Sequence, residues 1–271
     1  MLTPDLEVLT AFAGSLADTS RATVQRALGK TRTFATKEDA SPVTAIDREV
    51  EERLRERIRQ AHPDHGILGE EFESFGLDEE WVWVIDPIDG TKAFITGIPT
   101  FGTLIALAHH GIPVLGIIDN PVTNERWLGA DGVPTSLNGK PVRTRARRDI
   151  GETLVGNGNP ESFNEGEMLA FQRLRSHTRW GVYGGGCHAY GRVADGALDI
   201  NVDGALDAFD YCALVPIVRN AGGVMTDWQG GQLNIRSGSR CVVASAGPML
   251  HDTVLTILAA TNSAAAPVPE S

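Results

Sequence analysis

A chain of 271 residues is long enough to bury a sizeable core, as one large domain or two smaller ones, and 42% hydrophobic with 22% charged residues is the composition of a folded globular protein. Twenty-four basic against 35 acidic residues leave a net charge of −11, which argues against a nucleic-acid partner, because phosphate backbones favour a basic footprint. An acidic chain that binds phosphate needs a metal or local backbone N–H groups to overcome its own field.

Cys187, Cys212 and Cys241 are odd in number and lack C-x-x-C spacing, so neither a disulfide framework nor a zinc site is indicated; small buried residues in a reducing cytosol are expected. The N-terminus has no basic segment followed by an apolar one, and no apolar run is long enough to cross a membrane. A cytoplasmic protein without a membrane partner is therefore expected.

In chain order, Leu6, Leu9, Phe12, Ala13, Leu16 and Ala17 fall at helical spacing within residues 5–28, and Gly29 suits a stop. Residues 33–42 are polar and read as a loop. A second helix spans 47–61, with Thr44 as its N-cap and Val50, Leu54 and Ile58 on one face. Its Glu and Arg residues at three- and four-residue intervals are expected to form a solvated, ion-paired face without a functional role. Residues 65–71 read as a short buried strand ending in Glu70 and Glu71. An acidic loop, 72–80, leads to a second buried strand, Trp81-Val82-Trp83-Val84-Ile85, expected to break at Pro87.

Residues 101–142 read as antiparallel hairpins, punctuated by Gly, Asn-Pro and Asn-Gly. The His109-His110 pair is expected at a hairpin turn, without partners that would make it a metal site, and His62 and His65 at the surface. The basic stretch 143–148 marks a domain boundary, giving an N-terminal lobe over 1–148, a C-terminal α/β lobe over 149–260 and a disordered Ala/Pro/Ser-rich tail over 261–271. In the second lobe, strands are expected at 154–156, 198–202, 223–226 and 241–245. Helices are expected at 167–175, 188–197, 209–221 and 248–260, and a glycine-rich turn at 183–186.

Asp86 and Asp89 flank Pro87-Ile88 at the end of a buried strand, with Gly90-Thr91 opening a helix directly after them. Asp, Pro and Gly also dominate ordinary turns. The buried Trp-Val-Trp-Val-Ile run weakens that alternative, since two acids there would repel unless a cation lay between them. Both carboxylates and the Ile88 carbonyl are oxygen donors suited to a hard cation. The exposed N–H groups of Gly90 and Thr91 suit a phosphate, and the Thr91 hydroxyl could orient an attacking water. Glu70 and Glu71 arrive from the neighbouring strand end, and which of them faces the cleft is left open by the spacing. Asp210 begins an apolar helix, where an acid is usually an N-cap; a metal role would need the second lobe to fold back over the first. Together these residues point to a metal-dependent phosphoester hydrolase.

The series Gly69-Glu70-Glu71, then Asp86-Pro87-Ile88-Asp89-Gly90-Thr91, then Phe209-Asp210 ahead of Ala221-Gly222-Gly223, closely resembles the inositol monophosphatase family of magnesium-dependent, lithium-sensitive phosphatases. Thr36-Lys37, Ser41-Pro42-Val43-Thr44 and Asp47 match that family's N-terminal segment, and the resemblance runs to about residue 260. It implies a layered α+β or α/β sandwich (αβαβα) and a homodimer, to which the apolar region 101–128 could contribute. It also implies two or three Mg2+ ions per subunit, two of them held by Glu70, Asp86, Asp89, Asp210 and the Ile88 carbonyl, with Asp47 assisting a further site. Glu70 and Thr91 would activate the nucleophilic water, and the Gly90 and Thr91 N–H groups would hold the phosphate, without a covalent enzyme intermediate.

Lys92 and Phe94, Asp119-Asn120-Pro121 with Glu125-Arg126-Trp127, and Tyr183-Gly184-Gly185 with Ala189-Tyr190-Gly191 look like the histidinol-phosphate phosphatase branch. That resemblance implies a small phosphorylated metabolite, L-histidinol phosphate first, contacted by Lys92, Gly185, Gly186, His188 and Asp203. Three positions depart from the pattern: Gly186 stands where that branch has an acid, His188 replaces a common aromatic, and Phe209 stands where the wider family has Trp. Inositol monophosphate and 3′-phosphoadenosine 5′-phosphate are the rival substrates within the same chemistry. A catalytically silent metabolite-binding protein on the same fold is the alternative from another class, although such a protein would normally have lost a metal carboxylate or Thr91.

Overall fold

The computed structural model describes residues 4–29, 33–36, 42–146 and 149–260. In order they form α1 (Pro4–Ala27), β1 (Ala35–Thr36), β2 (Pro42–Val43), α2 (Ala45–Ala61), β3 (Gly66–Gly69), β4 (Trp81–Asp89), α3 (Thr91–Thr96) and β5 (Gly102–His109). Next come β6 (Ile112–Asn120), β7 (Glu125–Ala130), β8 (Val133–Leu137), β9 (Lys140–Pro141), β10 (Leu154–Asn157), α4 (Glu165–His177), β11 (Trp180–Tyr183) and α5 (Gly186–Ala194). The chain closes with β12 (Ile200–Leu206), α6 (Ala208–Tyr211), α7 (Leu214–Asn220), β13 (Val224–Asp227), β14 (Arg240–Ser245) and α8 (Pro248–Ala259). Lys37, Ser41 and the 261–271 tail, named above, lie outside the described residues, and among those described no helix is long and apolar enough to cross a membrane.

Two sheets carry the fold. Strands β3 to β9 form a seven-stranded sheet in sequence order, parallel only between β3 and β4; the second sheet runs β11-β10-β12-β14-β13. Alternation along β4 distributes its side chains to two cores. Trp83 and Ile85 face α1 and α2 among Leu16, Leu54 and Ile58, while Val82 and Val84 face the opposite core with α5 and α7. A third core places Val155, Ile200 and Val202 against Phe171 and Leu174 of α4 and Leu258 of α8. The result is five layers, αβαβα, as the family resemblance implies. Close approach is needed in the middle of this stack: a Cβ on Gly116 would lie 1.9 Å from the Ala213 carbonyl oxygen, and one on Gly129 would lie 2.5 Å from the Ile217 Cα. Glycines therefore let the backbone around α7 rest on β6 and β7.

The structure alters several expectations. β4 continues through Pro87 to Asp89, because a bulge inserts one extra residue between the pairs Asp86↔Leu104 and Asp89↔Gly102, where a missing N–H is tolerated. The helix expected at 209–221 is two, α6 and α7. Restarting at Leu214 places Pro216 in a first turn, where N–H groups have no intrahelical partner. Strand β11, at the sheet edge, was not anticipated. Side chains of 101–128 are largely buried within their own chain, with Ile112 and Val122 among the exposed ones. His109 does have a partner, since Glu80 Oε1 lies 3.0 Å from its Nε2, and His62 and His65 are half-buried and stacked at 4.6 Å. The charge run of α2 is not uniformly solvated either: Glu51 and Arg55 are buried and paired at 2.7 Å.

Candidate metal and phosphate site

The site is assembled at the C-terminal ends of β3 and β4. In a regular strand, residues three apart face opposite sides; the extra residue of the bulge brings Asp86 and Asp89 to the same side. Thr103 donates its hydroxyl to the Pro87 carbonyl at 2.8 Å and holds the bulge from the neighbouring strand. The parallel register Gly69↔Ile85 then sets Glu70 beside Asp86, with the Glu70 amide donating to the Ile85 carbonyl at 3.3 Å. Of the two acids at the end of β3, Glu70 interacts with Asp86, and the Glu71 amide donates away from the site to Glu51 Oε2 at 2.8 Å.

Asp210 comes from α6. The Asp207 amide donates to Asp210 Oδ2 at 2.7 Å, so one carboxylate oxygen caps the helix while the group as a whole faces Asp86 and Asp89. Ligand atoms of these three aspartates lie within 4.8 Å of one another. Burial, then repulsion by Glu70, Asp89 and Asp210, holds the Asp86 carboxyl well above its ordinary value. Asp210 is raised well above its ordinary value by burial and by Asp89. Asp89 is raised by burial against the opposing Cys187 bonds.

Asp86 Oδ1 is buried without a hydrogen-bond partner. An orphaned carboxylate oxygen among three further acids fits a hard divalent cation, which supplies the missing partner and the missing charge. Among the described residues, one other group has metal-ligand spacing: Glu80, His109 and His110, at the opposite end of β4 and largely exposed.

Gly90 has φ +82°, a left-handed conformation that turns the chain from β4 into α3. The Thr91 hydroxyl lies 3.2 Å from the Ile88 carbonyl oxygen and 3.3 Å from Asp47 Oδ1. Asp47 is fully buried: its Oδ2 accepts the Thr44 amide at 2.9 Å in the capping box of α2, and Oδ1 is directed to Thr91. Burial raises its carboxyl despite those bonds.

The residues assigned to substrate divide. Lys92 is exposed on α3. Gly185 caps α5. Gly186, with φ +51°, leaves little room for a side chain, since a Cβ there would lie 3.1 Å from Asp89 Oδ2 and 3.2 Å from the Thr100 carbonyl oxygen. An acid at this position, as in the branch pattern, would strain the backbone and crowd a metal ligand. Asp203 is buried and already accepts four hydrogen bonds: Gly158 N–H at 2.6 Å and Asn157 at 3.1 Å on Oδ1, Tyr190 hydroxyl and Asn201 at 2.9 Å each on Oδ2. His188 is held by Asn120 at 3.2 Å and Glu125 at 3.1 Å, edge-on to Trp127. Both side chains are engaged by their own protein. Sequence reading missed Cys187, whose amide donates to Asp89 Oδ2 at 2.8 Å across 98 residues; no local pattern could have revealed it.

The chain matches the inositol monophosphatase family over residues 5–263. It is 39% identical over 244 residues to the chloroplastic bifunctional phosphatase IMPL2 of Arabidopsis thaliana, covering 89% of this chain and 70% of that one. A histidinol-phosphatase of Mycobacterium tuberculosis is 35% identical over 230 residues, covering 82% and 86%. Among solved structures, an inositol monophosphatase from Zymomonas mobilis superposes with a TM-score of 0.85 at 38% identity, covering 93% of this chain and 98% of that one. With its five layers and its carboxylate cluster, the chain belongs to the inositol monophosphatase family of metal-dependent phosphatases.

Proposed function

We propose that the protein is a magnesium-dependent phosphomonoesterase whose substrate is L-histidinol phosphate, acting within histidine biosynthesis. The observation that carries the reaction class is the cluster of buried Asp86 with half-buried Asp89 and Asp210, with Glu70 beside it and an orphaned oxygen on Asp86. Glu70, Asp86, Asp89, Asp210 and the Ile88 carbonyl would hold the two or three ions. Bound Mg2+ would supply the Lewis acidity that lowers the pKa of water and neutralises phosphoryl charge.

The remaining work falls to the chain's own groups. Thr91, whose hydroxyl donates to Asp47, would orient the attacking water and pass its proton towards Glu70 or Asp47. The Gly90 and Thr91 amides offer donors to the phosphate. The choice of L-histidinol phosphate rests on the 35% identical histidinol-phosphatase and the branch-like motifs around Lys92, Glu125 and Tyr190. We read the protein as a cytoplasmic homodimer, with the exposed Trp180, Val182 and Tyr183 at the edge strand β11 as the apolar surface available to a second subunit.

Phosphate release from L-histidinol phosphate, inositol 1-phosphate and 3′-phosphoadenosine 5′-phosphate, each with Mg2+ and with EDTA, tests the proposal. A higher kcat/KM for L-histidinol phosphate and silence in EDTA are expected. Preference for inositol phosphate would overturn the substrate, and full activity in EDTA would overturn the metal.

A further inference from the structure

The inner face of α2 carries three charged residues one turn apart, Asp47, Glu51 and Arg55, with relative exposures of 0%, 0% and 4%. A buried ion pair is a poor way to gain stability, since apolar residues of similar volume pack as well at no desolvation cost. The pair's partners show what it does instead. Arg55 donates from Nε to Glu51 Oε1 at 2.7 Å, from Nη2 to the Phe72 carbonyl at 2.9 Å and from Nη1 to the Glu73 carbonyl at 3.0 Å. Glu51 Oε2 accepts the Glu71 amide at 2.8 Å. The backbone of three successive residues directly after Glu70 is thus held by two side chains of one helix, through the Glu71 amide and the Phe72 and Glu73 carbonyls. The residue before it is adapted to the same contact: a Cβ on Gly69 would lie 2.1 Å from Glu51 Oε1.

The same helix reaches the other half of the site through Asp47 Oδ1, 3.3 Å from the Thr91 hydroxyl. Glu70 and Thr91 stand at the ends of two different strands, and α2 grips the chain beside each. We infer that Glu51 and Arg55 are positioning residues: as a buried guanidinium–carboxylate clamp on the 71–73 turn, they hold the Glu70 carboxylate in register with Asp86 for divalent-cation binding. This rests on the assignment of Glu70 as a metal ligand. The clamp touches neither metal nor phosphate. The planar fork of Arg55 serves two carbonyls and a carboxylate at once, a geometry that an ammonium group does not reproduce.

The test is calorimetric titration of Mn2+ into the metal-free full-length chain carrying R55M, R55K or E51Q, with thermal unfolding recorded in parallel and E70Q as reference. Removing an outer support of a ligand weakens metal binding by about 10–100-fold. That loss is expected for R55M and E51Q at temperatures where both are fully folded, with a smaller loss for R55K. If R55M fails to fold, R55K and E51Q carry the comparison. Isotherms within about twofold of wild type for the folded clamp variants, with binding lost in E70Q, would overturn the inference and leave Glu70 a ligand. Unchanged binding in E70Q would overturn the assignment on which it rests.

Discussion

The backbone amide of Cys187 donates to Asp89 Oδ2 at 2.8 Å, joining the first turn of α5 to a carboxylate at the end of β4, 98 residues earlier. Asp89 therefore has two duties, one in the acid cluster and one in docking the α5 layer. Asparagine keeps the volume and an acceptor oxygen for Cys187 and removes the charge. Asp89→Asn is expected to lose activity by roughly two orders of magnitude or more, the scale of removing one preorganised electrostatic group. Its circular dichroism and unfolding midpoint should stay near wild type. Unchanged phosphate release would refute the metal role of Asp89.

Gly186, one residue before Cys187, combines φ +51° with a Cβ position 3.1 Å from Asp89 Oδ2. Gly186→Ala should cost about 1–2 kcal/mol of stability through the left-handed backbone and lower activity by displacing Asp89. Gly14, inside α1 with open space around it, is the control: Gly14→Ala should stabilise by about 0.5–1 kcal/mol without touching activity. Parallel thermal unfolding and phosphate-release measurements read both, and a neutral Gly186→Ala would contradict the crowding.

Asp203 links the second sheet to pH. Burial raises its carboxyl from 3.8 to about 6, against the bonds from Gly158, Tyr190 and Asn201. A raised folded-state pKa means that the native state holds the proton more tightly, so this contribution to stability is complete below about pH 4 and is lost as pH rises through 6. At 1.36 kcal/mol per unit the span is on the order of 3 kcal/mol. Asparagine does not titrate, so the stability of wild type relative to Asp203→Asn should fall from pH 4.5 to 7.5 in urea unfolding with EDTA present. A gap constant across that range would show that Asp203 does not titrate there.

How far the sequence reveals the site depends on which contacts are local. The end of β3 at Glu70, the N-cap at Thr44 and the acids flanking Pro87-Ile88 are legible, because strand ends and caps are written in neighbouring residues. The bulge at Pro87 is not, since a proline that stops a strand and one absorbed by an extra residue look alike until the partner strand is placed. Glu51 and Arg55 have the spacing of a solvated i,i+4 pair, and only the turn at 71–73 laid against them makes them buried. Asp203 and His188 lie where the resemblance directs attention, but long-range partners such as Gly158 and Glu125 already engage their polar atoms. Substrate choice is correspondingly the least legible part.

The central claim, that Asp86, Asp89 and Asp210 with Glu70 form the cation site, is tested most directly by anomalous diffraction from crystals grown with Mn2+. Strong anomalous peaks are expected among those four carboxylates, with the otherwise orphaned Asp86 Oδ1 within ligand distance. Peaks confined to Glu80, His109 and His110, or none at the aspartate cluster in crystals of folded protein at saturating Mn2+, would contradict it.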